Sequence, residues 1–176
     1  MIKRLTKYLY ILLFFIPGFS EAQTHDLKFT TVTGENGVFL GKINDITQDR
    51  NGTIWFSDQT NRGITKYDGT RMTRYQNDSR KNNSLGGIYP ECLFADSSGM
   101  IWIGFYGYGL DRFDPENNIF THYRHDPNDS HSIANDTVTA ILIDHLNNVW
   151  VATYGGLDLL DPATGKAKWT FDPKLK

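Results

Sequence analysis

A single cysteine among 176 residues excludes an internal disulfide framework and a four-thiolate metal site within one chain. Charge of one sign is also missing. The 18 Lys and Arg against 20 Asp and Glu leave a formal net charge of -2, which excludes the basic surplus of a nucleic-acid or acidic-lipid binder. Glutamate is scarce, confined to Glu21, Glu35, Glu91 and Glu116. The histidines His25, His122, His125, His131 and His145 show no H-E-x-x-H or paired metal-ligand spacing. His122 and His125, three apart on a strand and its exit, read as solvated polar residues on opposite faces. Nucleophile-elbow, P-loop and dinucleotide glycine motifs are absent. After residue 22 no stretch sustains a 3.6-residue apolar period, so almost no helix is expected. What is plentiful is aromatic and small: 11 Phe, 9 Tyr, 4 Trp and 16 Gly. That mixture points to short strands joined by tight turns.

The N-terminus has its own signature. Lys3, Arg4 and Lys7 precede an apolar run from Tyr8 to Ile16, and Ser20-Glu21-Ala22 places small residues where a signal peptidase reads. Residues 1–22 are therefore expected to be a secretory signal peptide cleaved after Ala22. The rival, an uncleaved anchor, needs about 20 apolar residues to span hydrocarbon. The chain is expected to be periplasmic or secreted.

The rest repeats itself. Trp55, Trp102 and Trp150 stand 47 and 48 residues apart. Six residues before each is Asp49, Asp96 or Asp144, and three before each is Gly52, Gly99 or Asn147. A second signature follows at Gly63-Ile64, Gly109-Leu110 and Gly156-Leu157, each leading to Asp68, Asp114 or Asp161. Every repeat reads as four strands: A at 43–48, 90–95 and 138–143; B at 53–57, 100–104 and 148–153; C at 64–68, 110–114 and 157–161; D at 71–76, 119–124 and 166–171. Four-stranded units at this period predict an all-β partial β-propeller of about three antiparallel blades. The blades would fill about 43–76, 90–124 and 138–171 within a segment at 27–172, with 27–33 as one extra N-terminal outer strand. A sandwich is the rival all-β architecture, but it does not require identical columns at a fixed period.

The aspartates recur at the same turns in every repeat, so they read as turn formers rather than as a catalytic pair or calcium ligands. Cys92, sharing its column with Ala140 and Asp45, reads as a small core or channel-facing thiol, free and unreactive. The loops between strands B and C are less uniform: Asp58 to Arg62, Phe105-Tyr106-Gly107-Tyr108 and Tyr154-Gly155. Aromatic faces beside amides and charges suit sugar rings. Tyr106, Tyr108 and Tyr154, with Asp58 and Arg62, are the candidate ligand-binding residues. The competing reading is that these tyrosines pack their loops against the next blade.

The third copy, Val138-Thr139-Ala140-Ile141-Leu142-Ile143-Asp144, then Asn148-Val149-Trp150-Val151-Ala152-Thr153-Tyr154-Gly155-Gly156-Leu157, resembles the two-component regulator propeller repeat. The resemblance extends over nearly all of residues 27–172. It implies the periplasmic sensor of a hybrid two-component system or histidine kinase, here as an N-terminal or truncated segment. The expected function is non-enzymatic sensing, with an oligosaccharide as candidate ligand, no cofactor, no metal, no catalytic residue and no nucleic-acid partner. Further blades from the same gene or another chain are expected partners, and a membrane only through a C-terminal span. Two alternatives stand beside this: a streptogramin-lyase-like propeller enzyme, which would need a His/Glu cluster, and a self-assembling interaction module.

Overall fold

The computed structural model describes residues 40–171. The expected signal peptide and the lone outer strand at 27–33 lie outside the described residues. Among those described, all regular structure is β. The first sheet holds β1 (Ile43–Gln48), β2 (Ile54–Asp58), β3 (Gly63–Tyr67) and β4 (Met72–Gln76). The second holds β5 (Pro90–Ala95), β6 (Ile101–Phe105), β7 (Leu110–Asp114) and β8 (Ile119–Tyr123). The third holds β9 (Val138–Ile143), β10 (Val149–Thr153), β11 (Gly156–Asp161) and β12 (Lys166–Phe171). Each sheet is an antiparallel meander in chain order. These are three propeller blades, as the repeat requires.

One turn explains the most regular columns. Gly52, Gly99 and Asn147 take positive φ of 82°, 95° and 61°, a region open to Gly and tolerated by Asn. Their N–H groups donate to the carbonyls of Asp49, Asp96 and Asp144 at 3.0, 3.1 and 2.9 Å. The carboxylate of each Asp then takes three roles. Oδ1 accepts the N–H two residues on (Asn51, Ser98, Leu146) and four residues on (Thr53, Met100, Asn148). Oδ2 accepts the indole N–H of Trp55, Trp102 or Trp150, at 2.9, 2.9 and 3.1 Å. The turn is thereby tied to the tryptophan that packs between blades. It also explains why β2, β6 and β10 start one residue later than the sequence suggests: Thr53, Met100 and Asn148 are held by the turn.

The innermost strands β1, β5 and β9 lie side by side, with Leu93 N–H donating to Asp45 Oδ2 at 2.7 Å. Between the first and second blades, Trp55, Ile64, Leu93, Ile101, Ile103 and Phe113 form one core. Between the second and third, Trp102, Leu110, Tyr123, Val138, Val149 and Val151 form another, with Cys92. Gly104 is required there, since a Cβ would meet Cys92 Sγ at 2.5 Å and Val138 Cγ1 at 2.7 Å. The outward face of the third blade differs. Lys66 and Arg112 lie over Trp55 and Trp102, but the equivalent neighbour of Trp150 is Leu159, which pairs with Trp169. Leu142, Trp169 and Phe171 on this blade are about half exposed.

The connections from one blade to the next are built alike. Leu85 and Ile133 are buried plugs. Asp111, fully buried on β7, accepts Gly86 N–H at 2.6 Å, and Asp158 on β11 accepts Ala134 N–H at 2.8 Å. His122 Nδ1 lies 2.7 Å from Asp111, and His125 Nδ1 lies 2.8 Å from the Ile133 carbonyl. These two histidines are therefore not merely solvated. They fasten the connections because a buried carboxylate and a loop carbonyl need partners.

Candidate functional site

The site is assembled by a second repeated hydrogen bond. At the exit of each second strand, the backbone N–H of Gln59, Tyr106 and Tyr154 donates to the carbonyl of Lys42, Tyr89 and Thr137, in each case at 3.0 Å. This pins the loop after the Trp-bearing strand to the start of its own innermost strand. Gln59, Tyr106 and Tyr154 are thus equivalent positions around one end of the blades. One residue inside the innermost strands, Asn44, Glu91 and Thr139 form a second equivalent set.

Between the second and third blades these positions enclose a cleft of ≈ 340 Å³, walled by Glu91, Tyr106, Thr137, Val138, Thr139 and Tyr154. Tyr106 and Tyr154 are 53% and 67% exposed, and their rings meet nearly perpendicular, 6.4 Å between centroids. Exposed apolar side chains that gather in one patch mark interaction sites more than scattered ones do. Glu91 is half-buried. Its Oε1 accepts from Gln59 Nε2 at 3.3 Å and its Oε2 from Asn44 Nδ2 at 3.1 Å. A carboxylate offers about four acceptor positions, so two neutral amides position it without exhausting it.

The structure brings together only part of the expected set. Tyr106 and Tyr154 face each other across the cleft. Tyr108 turns to Tyr89 instead, at 6.3 Å, and does not wall the cleft. Asp58 is fully buried. Its carboxylate is taken by its own loop, accepting Asn61 N–H at 3.0 Å and Asn61 Nδ2 at 2.6 Å, so it is a loop brace and not a surface acceptor. Arg62 is exposed with φ of 55°, outside the cleft wall. Glu91 and Gln59 were not anticipated. The signal that could have found them is column divergence: Asn44, Glu91 and Thr139 differ in chemistry where neighbouring columns keep theirs.

Two of the turn carboxylates and the thiol are engaged by the fold. The Asp68 carboxyl is held down at about 2 by the N–H groups of Arg71 and Thr70 and the Thr70 hydroxyl. Asp144 is held well below the usual carboxylate range by the Asn148 side chain and the Trp150 indole. Burial first, then the Asp45 and Glu91 charges, push the Cys92 thiol up to about 12, so it is not a thiolate nucleophile near neutral pH. Among the described residues, no group of three or more His, Cys, Asp or Glu is placed to hold a metal ion.

Residues 132–155, from the buried plug Ile133 through β9 and β10, match the two-component regulator propeller family. The match takes in 24 of the 176 residues. Among solved structures, the chain is 28% identical to the extracellular domain of a hybrid two-component system from Bacteroides thetaiotaomicron. That similarity covers 83% of this chain and 20% of the other, with a TM-score of 0.70. PorZ, a surface component of the type-IX secretion system of Porphyromonas gingivalis, is 21% identical over 75% of this chain and 21% of its own, with a TM-score of 0.56. Virginiamycin B lyase from Staphylococcus aureus is 16% identical over 74% of this chain and 44% of its own, with a TM-score of 0.51. These last two share the fold alone. The chain spans about a fifth of the length of the two-component domain it resembles. No curated protein matches it in sequence.

Proposed function

We propose that this chain is an extracytoplasmic, non-enzymatic sensing segment of a propeller, and that it binds a saccharide in the cleft between Tyr106 and Tyr154. The observation that carries the reading is the cleft itself: two exposed tyrosine rings and a positioned carboxylate in one wall, with the tyrosines at loop positions pinned by backbone hydrogen bonds. Sugar rings bury their C–H faces on aromatic rings and direct hydroxyls to fixed acceptors. The family of the repeat and the extracellular two-component domain from B. thetaiotaomicron support the sensing role and the location.

Calorimetric titration of the full chain with oligosaccharides tests the reading. Tyr106→Ala and Tyr154→Ala should each weaken binding about tenfold, the worth of one aromatic contact of 1–1.5 kcal/mol. Tyr108→Ala should leave it within about twofold, since that ring lies outside the cleft. Equal loss in all three variants, or saccharide affinity untouched by Tyr154→Ala, would overturn the assignment.

A further inference from the structure

The charges around the cleft bear on which saccharides enter it, an inference that rests on the binding reading above. Glu91 is the single charged residue in the cleft wall. Its two hydrogen-bond partners, Asn44 and Gln59, are neutral amides, so its charge is positioned but not cancelled. Asp45, on the adjacent innermost strand, adds a second carboxylate, which accepts the N–H of Leu93 at 2.7 Å and of Ile46 at 2.8 Å. The buried Cys92 thiol senses both: after burial, Asp45 and then Glu91 disfavour its ionisation. Both carboxylates therefore act on this stretch of the second innermost strand. Of the cations at this end, Lys42 and Arg62 are exposed on the first blade, Arg124 on the second blade is paired with the buried Asp111, and none of the three is in the wall.

We propose that the Tyr106–Tyr154 cleft admits uncharged and amine-bearing saccharides and rejects uronate-bearing ones, with Glu91 as the discriminating residue. A sugar ring resting on either tyrosine lies in the same cleft as Glu91. Hydroxyl and ammonium groups donate to Glu91. A uronate carboxylate can only accept, so it meets a like charge without a cation to offset it. Two like charges about 5 Å apart in a half-open cleft disfavour binding on the order of tenfold.

The experiment titrates the full chain at about pH 6 and low salt with three trisaccharides of equal length, built from glucose, glucosamine with free amines, or galacturonic acid. The expected result is glucosamine and glucose bound about tenfold or more tighter than galacturonate. Glu91→Gln, which keeps the shape of the side chain, should shrink that gap below about threefold. Raising salt to about 0.5 M with the unaltered chain should also shrink it, because screening shortens the reach of the charge. This second reading does not depend on the variant's folding. Galacturonate bound as tightly as glucose, or a gap unchanged by both Glu91→Gln and salt, overturns the selectivity and leaves the tyrosine cleft standing. If none of the three binds, the saccharide reading fails with it.

Discussion

Replacing Asp96 by Ala separates the structural role of the repeated aspartate from any ligand role. Asp96 Oδ2 accepts the Trp102 indole N–H at 2.9 Å, and Oδ1 accepts Met100 N–H at 3.0 Å and Ser98 N–H at 2.8 Å. Trp102 is 1% exposed, stacked on Tyr123 and covered by Arg112. Truncation strands the indole N–H in the inter-blade core, at a cost of about 1–3 kcal/mol. The turn N–H groups lie nearer water and lose about 0.5–1 kcal/mol more. The expected total is about 1.5–4 kcal/mol. The third blade supplies the internal control. Asp144 bonds Trp150 in the same way, but that ring is only partly buried, so water can replace the carboxylate. Asp144→Ala should cost about 1 kcal/mol, even though Asp144 also holds Asn148 Nδ2. Asp96→Asn, which keeps an acceptor, should lie between wild type and Asp96→Ala. The assay is urea unfolding followed by far-UV circular dichroism, read as a midpoint shift at constant slope. Equal losses for Asp96→Ala and Asp144→Ala would refute the argument, because burial of the indole is its stated cause.

Two other outcomes follow from the same geometry. Asp68 falls from 3.8 to about 2 in the fold, and Asp114, Asp144 and Asp161 are also lowered, by turn N–H groups and side-chain donors. Depressed folded values mean that this stability is complete above about pH 4 and is lost as pH falls toward about 2. Urea midpoints should drop over that window, less so in Asp68→Asn, and a flat profile from pH 5 to 2 would contradict the turn assignment. Gly104→Ala places a methyl 2.5 Å from Cys92 Sγ, so it should lower stability by about 1–3 kcal/mol. Thermal melts should show Cys92→Ala recovering part of that loss in the double variant.

The blades were legible because their columns recur. An Asp, a Gly or Asn and a Trp at constant spacing can satisfy the same turn and the same inter-blade contact three times, and the fold uses them so. What misled was chemistry judged from residue type alone. Asp58 looks like a ligand acceptor in a loop, yet a strand-end carboxylate is readily claimed by the N–H groups that follow it, and Asn61 does so here. His122 and His125 look like surface residues until the buried Asp111 and the Ile133 carbonyl are seen to need donors. Tyr106 and Tyr154 were visible as aromatics beside glycine, but not their meeting across two blades, because that distance depends on blade packing.

Variation within the repeat carries the functional information that identity cannot. The backbone bonds Gln59 to Lys42, Tyr106 to Tyr89 and Tyr154 to Thr137 hold three side chains in equivalent places. Those side chains are an amide and two phenols, and the set just inside is an amide, a carboxylate and a hydroxyl. A residue serving packing in every blade is constrained by three near-identical environments. A residue facing an asymmetric ligand is not, and a rigid scaffold with divergent loop chemistry is how binding faces are built. The repeated Asp–Trp ties fix the blades, which lets the opposite end differ from blade to blade without loss of the fold. In the binding proposed above, Glu91 would act beside the two tyrosines in the cleft wall, and Gln59 through its hydrogen bond to Glu91.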